Sequence, residues 1–286
     1  MTEAPRLIGL VPAAGQGTRL APLPMSKELF PLGFRTVPGQ TGARPKVVCH
    51  YLLEKMRGAG VSEVFMILRP GKWDIPAYLG DGADLGLHLA YLTVHVPFGV
   101  PFSLNQAYPF IQGATVLLGF PDILFGPDPA YRVLLQRLQA QGADVVLGLF
   151  PTDQPDKVGV VDVEETGRVI GIYEKSAFTH LPYMWAIAVW NPRFTDFLHQ
   201  FVVQHQHRLL GDRIPQGLTA WPPYTEVPIG DVIHQAIQAG LRVEAEVLDG
   251  GHYLDIGTPD NLKAALKQWG GLGADDSFAK PGDHHP

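Results

Sequence analysis

Five apolar residues, Leu7 to Val11, end at Pro12 and run into Ala13-Ala14-Gly15-Gln16-Gly17, a turn in which neither helical nor strand period continues. Beyond a stretch studded with proline and glycine, Pro22 to Pro45, the residues Val48, Tyr51, Leu52 and Met56 recur at helical spacing and stop at Gly58 and Gly60. A second apolar run, Val64 to Leu68, follows. Strand, crossover helix and strand join as a parallel pair, so this opening commits the chain to an α/β architecture.

The alternation continues. Strands are expected at Leu89 to Val96, Thr115 to Leu118, Asp144 to Leu149, Met184 to Trp190 and Leu241 to Leu248. Helices are expected at Ser103 to Ile111, from Asp128-Pro129 to Gln141, from Arg193 to Gln206, from Asp231 to Ala239, and from Thr258-Pro259-Asp260 to Trp269. Asp128 before Pro129 reads as an N-cap followed by the first-turn position where a missing N–H costs nothing. Val158 to Val163 and Arg168 to Tyr173 flank Glu164-Glu165-Thr166-Gly167 and predict a hairpin that breaks the α/β rhythm. The expected fold is a Rossmann-like mixed, mainly parallel sheet flanked by helices, with a β-hairpin in its second half. No long polar linker interrupts it, so residues 1–269 read as one catalytic domain and 270–286, polar and aperiodic, as a flexible tail.

Of 286 residues, 46% are hydrophobic, enough for a sizeable core, and the net charge of −6 gives no global field for holding nucleic acid or an acidic membrane. Cys49 is the one cysteine, which rules out an internal disulfide, and its place on a helical apolar face reads as a buried thiol. With no run long enough to span a membrane and no leader pattern at the N-terminus, a cytoplasmic protein is expected.

The chemistry concentrates in the first turn. Gly15 and Gly17 let the backbone approach a phosphate, and successive N–H groups of such a turn form an anion nest. It is not a P-loop, because no Lys-Ser/Thr pair closes it, and Leu20 stands where a dinucleotide fingerprint needs its last glycine. That counts against a nicotinamide-dependent oxidoreductase. Thr18 and Arg19 inside the turn, and Lys27 just beyond it, supply the polar and cationic groups a polyphosphate needs.

From these residues onward the chain resembles the nucleotide-sugar pyrophosphorylases, the NTP:sugar-1-phosphate nucleotidyltransferases, with features of both glucose-1-phosphate thymidylyltransferases and UTP-using uridylyltransferases. The motifs stand in the family's order: GLVPAAGQGTRLAPLPMSKELFPLG, TVLLGFPDILF, KVGVVDVEETGRVIGIYEKS and HYLDIGTPDNLKAAL. The resemblance implies that Ala13, Ala14, Gly15, Gln16, Gly17, Thr18, Arg19 and Gly99 bind the nucleotide, and that Asp122 and Asp255 hold Mg²⁺. It also implies that Glu174, Lys175, Trp185 and Glu226 meet the sugar phosphate, with Arg19, Lys27, Asp122, Lys175 and Asp255 catalytic. Glu226 reads equally well as a solvated loop carboxylate. Relatives of this kind are often homo-oligomers.

The reaction explains these residue types. A sugar-1-phosphate oxygen attacks the α-phosphorus of an NTP in line and pyrophosphate leaves, so two polyanions must be neutralised and aligned without a protein nucleophile. The chain departs from the family where base and sugar are read: Phe120-Pro121 separates the glycine from Asp122, and Val94 or His95 replaces a base-reading Gln. The loop GFRTVPGQTGARPK is longer than expected, and Trp185 and Ala186 narrow the sugar floor. These departures motivate the alternative of a catalytically silent sugar-nucleotide-binding protein. His205, His207, His284 and His285 are expected in solvent; two positions apart on a helix, His205 and His207 do not share a face.

Overall fold

The computed structural model describes residues 5–37, 41–96, 98–175, 180–210 and 225–269; the expected tail lies outside them, as do His284 and His285. The first apolar run is β1 (Leu7–Pro12). The Gly-rich turn leads through two single 3-10 turns, Thr18–Leu20 and Lys27–Leu29, into an antiparallel hairpin of β2 (Pro31–Arg35) and β3 (Arg44–Val47). Next come α1 (Val48–Gly58), β4 (Glu63–Leu68), a short α2 (Asp74–Leu79) and β5 (His88–Thr93). The middle of the chain holds α3 (Val100–Leu104), α4 (Tyr108–Ile111), β6 (Thr115–Leu118), β7 (Ile123–Gly126) and α5 (Ala130–Gln141). Then follow β8 (Val145–Pro151), the hairpin of β9 (Gly159–Val163) and β10 (Val169–Glu174), β11 (Tyr183–Trp190) and α6 (Pro192–Leu210). The last elements are α7 (Ile229–Gln238), β12 (Val243–Val247), β13 (His252–Asp255) and α8 (Pro259–Trp269).

The main sheet runs β10-β9-β11-β6-β1-β4-β5, with β8 on β11 and β12 on β8. β1 pairs parallel with β4 and β6, β4 with β5, and β12 with β8; β11 is antiparallel to its neighbours. This is the expected mixed Rossmann-like sheet with a hairpin in its second half. Its side chains alternate between two cores: Ile8, Leu10, Val116 and Leu118 pack under α3, α6 and α7, while Val11, Leu117 and Val146 pack under α1 and α5. Cys49 is buried, as expected. No helix among the described residues is long and apolar enough to cross a membrane.

Four expectations need correction. Ser103 to Ile111 is not one helix: α3 gives way to a 3-10 turn at Asn105–Ala107 and α4 restarts with Pro109 in its first turn, where the ring needs no hydrogen-bonded N–H. Asp128 does not cap α5, which starts after Pro129; its exposed carboxylate pairs with Lys55 instead. The strand from Leu89 stops at Thr93. His205 is half-buried between the rings of Phe102 and Phe201, at 5.7 and 5.6 Å, and this burial pushes its pKa down; His207 is exposed as expected.

Candidate active site

The site forms where β1 and β6, adjacent and parallel, end side by side, the place where open α/β sheets bind ligands. Ala13 is anchored by its N–H on the Ile67 carbonyl at 2.8 Å, and Ala14 onward leaves the sheet. A side chain at Gly15 would meet none of the described residues, so none of them demands glycine there, whereas a phosphate approaching the backbone would. Gly17 sits in the left-handed region at φ 66°, which turns the chain into the Thr18–Leu20 segment and leaves Thr18 and Arg19 exposed beside the cavity.

Gln16, Lys27, Gly99, Phe120, Asp122 and Glu226 share one cavity of about 330 Å³ with Ala14 and Gly15. Gly99, at φ 110°, touches the 225–228 segment so closely that a Cβ would lie 2.4 Å from the Val227 carbonyl oxygen. The N–H of Val227 donates to the Phe98 carbonyl at 2.8 Å, and this contact carries the exposed Glu226 to the rim of the same cavity as Gly99. His95, two residues beyond β5, lines it as well, as does the buried Val94.

Two carboxylates come together here, Asp122 in the lining of the cavity and Asp255 next to it. Asp122 follows Gly119-Phe120-Pro121, and a side chain at Gly119 would collide with Leu52 and the Tyr131 hydroxyl at 2.4 Å, so α1 and α5 fix where this strand ends. β7 then pairs antiparallel with β13, with Ile123 opposite Asp255, and the N–H of Ile256 donates to the Asp122 carbonyl at 3.0 Å. This ribbon brings together residues far apart in sequence, and the Phe-Pro insertion does not separate them. Burial, and then the neighbouring Asp122, push the Asp255 carboxyl above the ordinary range, against the Gly257 N–H at 2.7 Å and the cations Lys27 and Arg19. Lys27 is ion-paired to Asp122, and the Arg19 guanidinium lies 3.7 Å from Asp255. Burial pulls the Lys27 ammonium down, but Asp122 opposes this strongly enough to raise it overall.

This donor set fits Mg²⁺. Two adjacent, mutually repelling carboxylates offer the oxygen ligands that Mg²⁺ takes, one or two carboxylates being enough for an ion that keeps several of its waters.

Of the residues expected to meet the sugar phosphate, Glu226 lines the same cavity as Asp122, whereas Glu174, Lys175 and Trp185 do not and lie at the end of β10, just beyond it, and on β11. Glu174 closes β10 and is packed against Gly159 and Gly230, where an added Cβ would stand 2.7 and 1.9 Å from its carboxylate. Trp185 of β11 is buried, hydrogen-bonds Glu174, and meets Phe120 edge-on at 6.3 Å, linking the two ends of the site. Ala186 beside it is buried too. Lys175 adopts φ 49°, an uncommon conformation for a non-glycine residue, fixed by its N–H on the Val158 carbonyl at 3.0 Å; its side chain is exposed.

Three groups escaped the sequence reading. Glu28 and Lys72 form a buried ion pair at 2.6 Å under the turn, and Glu28 and Arg69 both line the cavity. Asp231, read only as a helix start, raises Glu174 together with burial. Nothing local marks any of them, since each acquires its role from a partner on a distant element.

The nucleotidyl transferase family model matches residues 8–269, from β1 through α8. The chain belongs to the nucleotidyl transferase family. Among relatives, it is 23% identical over 262 residues to the low-salt glycan biosynthesis nucleotidyltransferase Agl11 of Haloferax volcanii, covering 90% of this chain and 64% of the relative. It is 27% identical over 259 residues to the mannose-1-phosphate guanylyltransferase of Mycobacterium tuberculosis (88% and 62%) and 26% over 256 residues to the glucose-1-phosphate thymidylyltransferase of Streptomyces griseus (88% and 63%). The chain thus spans just under two thirds of the length of these family members. A Bacillus anthracis protein assigned as a glucose-1-phosphate thymidylyltransferase, solved with sucrose, superposes with a TM-score of 0.71 at 19% identity, covering 91% of this chain and 94% of that one, a likeness of fold. Family membership displaces the nicotinamide-dependent oxidoreductase.

Proposed function

We propose that the chain is a Mg²⁺-dependent sugar-1-phosphate nucleotidyltransferase that joins the nucleotidyl group of dTTP or UTP to glucose-1-phosphate and releases pyrophosphate. One observation carries the reading: Asp122 and Asp255 lie side by side, each faced by a cation, directly beside a glycine turn open to a phosphate. The thymidylyl- and guanylyltransferases among the relatives support the reaction class, and the former support the choice of base.

In this reading the turn from Ala13 to Thr18 cradles the triphosphate with its N–H groups. Arg19 and Lys27, held at the carboxylates, face the charge that arrives with it. Asp122 and Asp255 hold Mg²⁺, which when bound neutralises charge on the reacting phosphates. Glu174 accepts hydrogen bonds from sugar hydroxyls, the Trp185 ring floors the sugar, and Lys175 takes the sugar phosphate, with Gly99 against the nucleoside and Glu226 at the rim. Positioned in line, the sugar phosphate oxygen forms a bond to the α-phosphorus as the bond to the bridging oxygen of pyrophosphate breaks. The attacking oxygen is already ionised, so no side chain need accept a proton. Residues 1–269 would form the catalytic unit of a cytoplasmic enzyme, as a homo-oligomer, acting on small polyanions and not on nucleic acid or membranes.

A pyrophosphate-release assay over the common NTPs and sugar-1-phosphates, with and without Mg²⁺, tests this. Mg²⁺-dependent turnover with dTTP or UTP and glucose-1-phosphate is expected; no turnover with any pair would overturn it. Ligand-induced thermal stabilisation without turnover would return the silent binding protein.

A further inference from the structure

On the far side of the Ser26–Leu29 turn from the catalytic cavity lies a larger one, about 800 Å³, walled by the β2–β3 hairpin, α1 and α2. That volume falls in the range of small-molecule clefts. Its lining is mainly apolar, including Met25, Leu29, Val37, Val47 and Leu85. Arg35 breaks the pattern. Its guanidinium makes no ion pair among the described residues; one terminal nitrogen reaches the Asp84 carbonyl at 3.3 Å, and its Nε is buried without a hydrogen-bond partner. A cation among apolar side chains with an unmet donor is costly unless an anion completes it.

Neither acid of the lining fills that role: Asp84 meets Arg35 through its backbone carbonyl, and its carboxylate makes no ion pair with Arg35 among the described residues. Asp74 is committed to Ser26, accepting from its N–H at 2.6 Å and its hydroxyl at 2.8 Å. His50 is 2% exposed, takes the Val47 N–H on Nδ1 at 3.2 Å, and is held neutral by burial and then by Arg35, its pKa pushed down to about 3. Arg44 adds a second positive charge to the wall.

We propose that this cavity is a second ligand site, for an amphipathic organic anion, whose aromatic or branched aliphatic body packs among the apolar side chains and whose single acidic headgroup meets Arg35. The site is wired to the first. Met25 and Leu29 line it, and Asp74 ties down Ser26, so the ligand bears on both sides of Lys27. Occupancy therefore shifts nucleotide affinity, a consequence that rests on the proposed transferase reading.

The test uses two fluorescent probes of similar shape, 8-anilino-1-naphthalenesulfonate and its uncharged analogue N-phenyl-1-naphthylamine, titrated into the full chain. Arg35→Met should weaken the sulfonate at least about tenfold and leave the analogue within about twofold, as loss of a charge-assisted hydrogen bond predicts. Ala77→Trp, at an exposed position of α2 on the cavity wall, should weaken both. Circular dichroism and the thermal midpoint check that both variants fold. Unchanged sulfonate affinity in either variant, or equal loss of both probes in Arg35→Met, would overturn the site. In the transferase assay the sulfonate should change KM for the NTP several-fold in the wild type and not in Ala77→Trp. An unchanged KM would overturn the coupling alone, whereas absence of turnover in every condition would count against the transferase reading and leave the binding result standing.

Discussion

The two ends of the candidate site solve opposite electrostatic problems. At the proposed phosphate end each acid has a cation, Lys27 on Asp122 and Arg19 near Asp255, so an incoming phosphate would exchange one set of ionic partners for another. At the proposed sugar end like charges face each other: Glu174 and Asp231 are both pushed up by burial, and Asp231 raises Glu174 further, which the neighbouring Lys175 offsets only in part. Sugar hydroxyls donate hydrogen bonds, so an excess of acceptors suits a neutral polyol as matched ion pairs suit a polyphosphate. The contrast teaches that charge balance alone would find only half of the proposed site.

Breaking the phosphate end should have the largest effect. Asp122→Asn and Asp255→Asn should each lower kcat by about a thousandfold, the upper range for loss of a group that stabilises transition-state charge. Neither should unfold the chain, and Asp255→Asn should raise the thermal midpoint without Mg²⁺, because it removes a buried charge opposed by Asp122. Wild-type turnover in either variant would refute the metal assignment. Lys27→Met should cost about a hundredfold in kcat. Because Lys27 and Asp122 touch, the double variant should lose much less than the product of the single losses; a double-mutant cycle measures the coupling.

The proposed phosphate end could be picked out in sequence because it is built from local signals: a strand, a glycine turn, a cation three residues beyond a proline, and acids at strand ends. The sheet was legible for the same reason, since Ile8, Leu10 and Val11 declare a doubly covered strand by their unbroken apolar run. What could not be read was whatever depends on distant pairing. β7 and β13 are four residues each, too short to show a period, yet their pairing sets Asp122 beside Asp255. The β2–β3 hairpin hides in a segment of prolines and glycines, and Asp128 looked like a cap until Lys55, on α1, claimed it. His205 was misjudged because its shielding rings, Phe102 and Phe201, come partly from another helix.

The sugar end should respond more mildly and more selectively. Gly230→Ala places a methyl 1.9 Å from the present position of a Glu174 carboxylate oxygen, which is the free end of a flexible side chain and can yield. The substitution should raise KM for the sugar-1-phosphate about tenfold, leave KM for the NTP within about twofold, and not lower the thermal midpoint, since alanine favours helix α7 by up to about 1 kcal/mol over glycine. Equal effects on both substrates would show that the two ends are not separate.

The finest distinction is the pH dependence of stability at Glu174. Burial first, and Asp231 second, hold its carboxyl above the ordinary glutamate range in the folded chain. Between the unfolded and folded values the native state therefore binds the extra proton, and stability contributed by this group falls as pH rises through that window and is recovered as pH drops. Glu174→Gln keeps an acceptor for Trp185 but carries no charge. Its advantage in thermal midpoint over the wild type should be greatest near neutral pH and shrink as pH is lowered to about 4, where an unfolded glutamate is itself half protonated. A constant or inverted difference would mean that Glu174 is not strained by its charge, and the like-charge character of the sugar end would be lost with it.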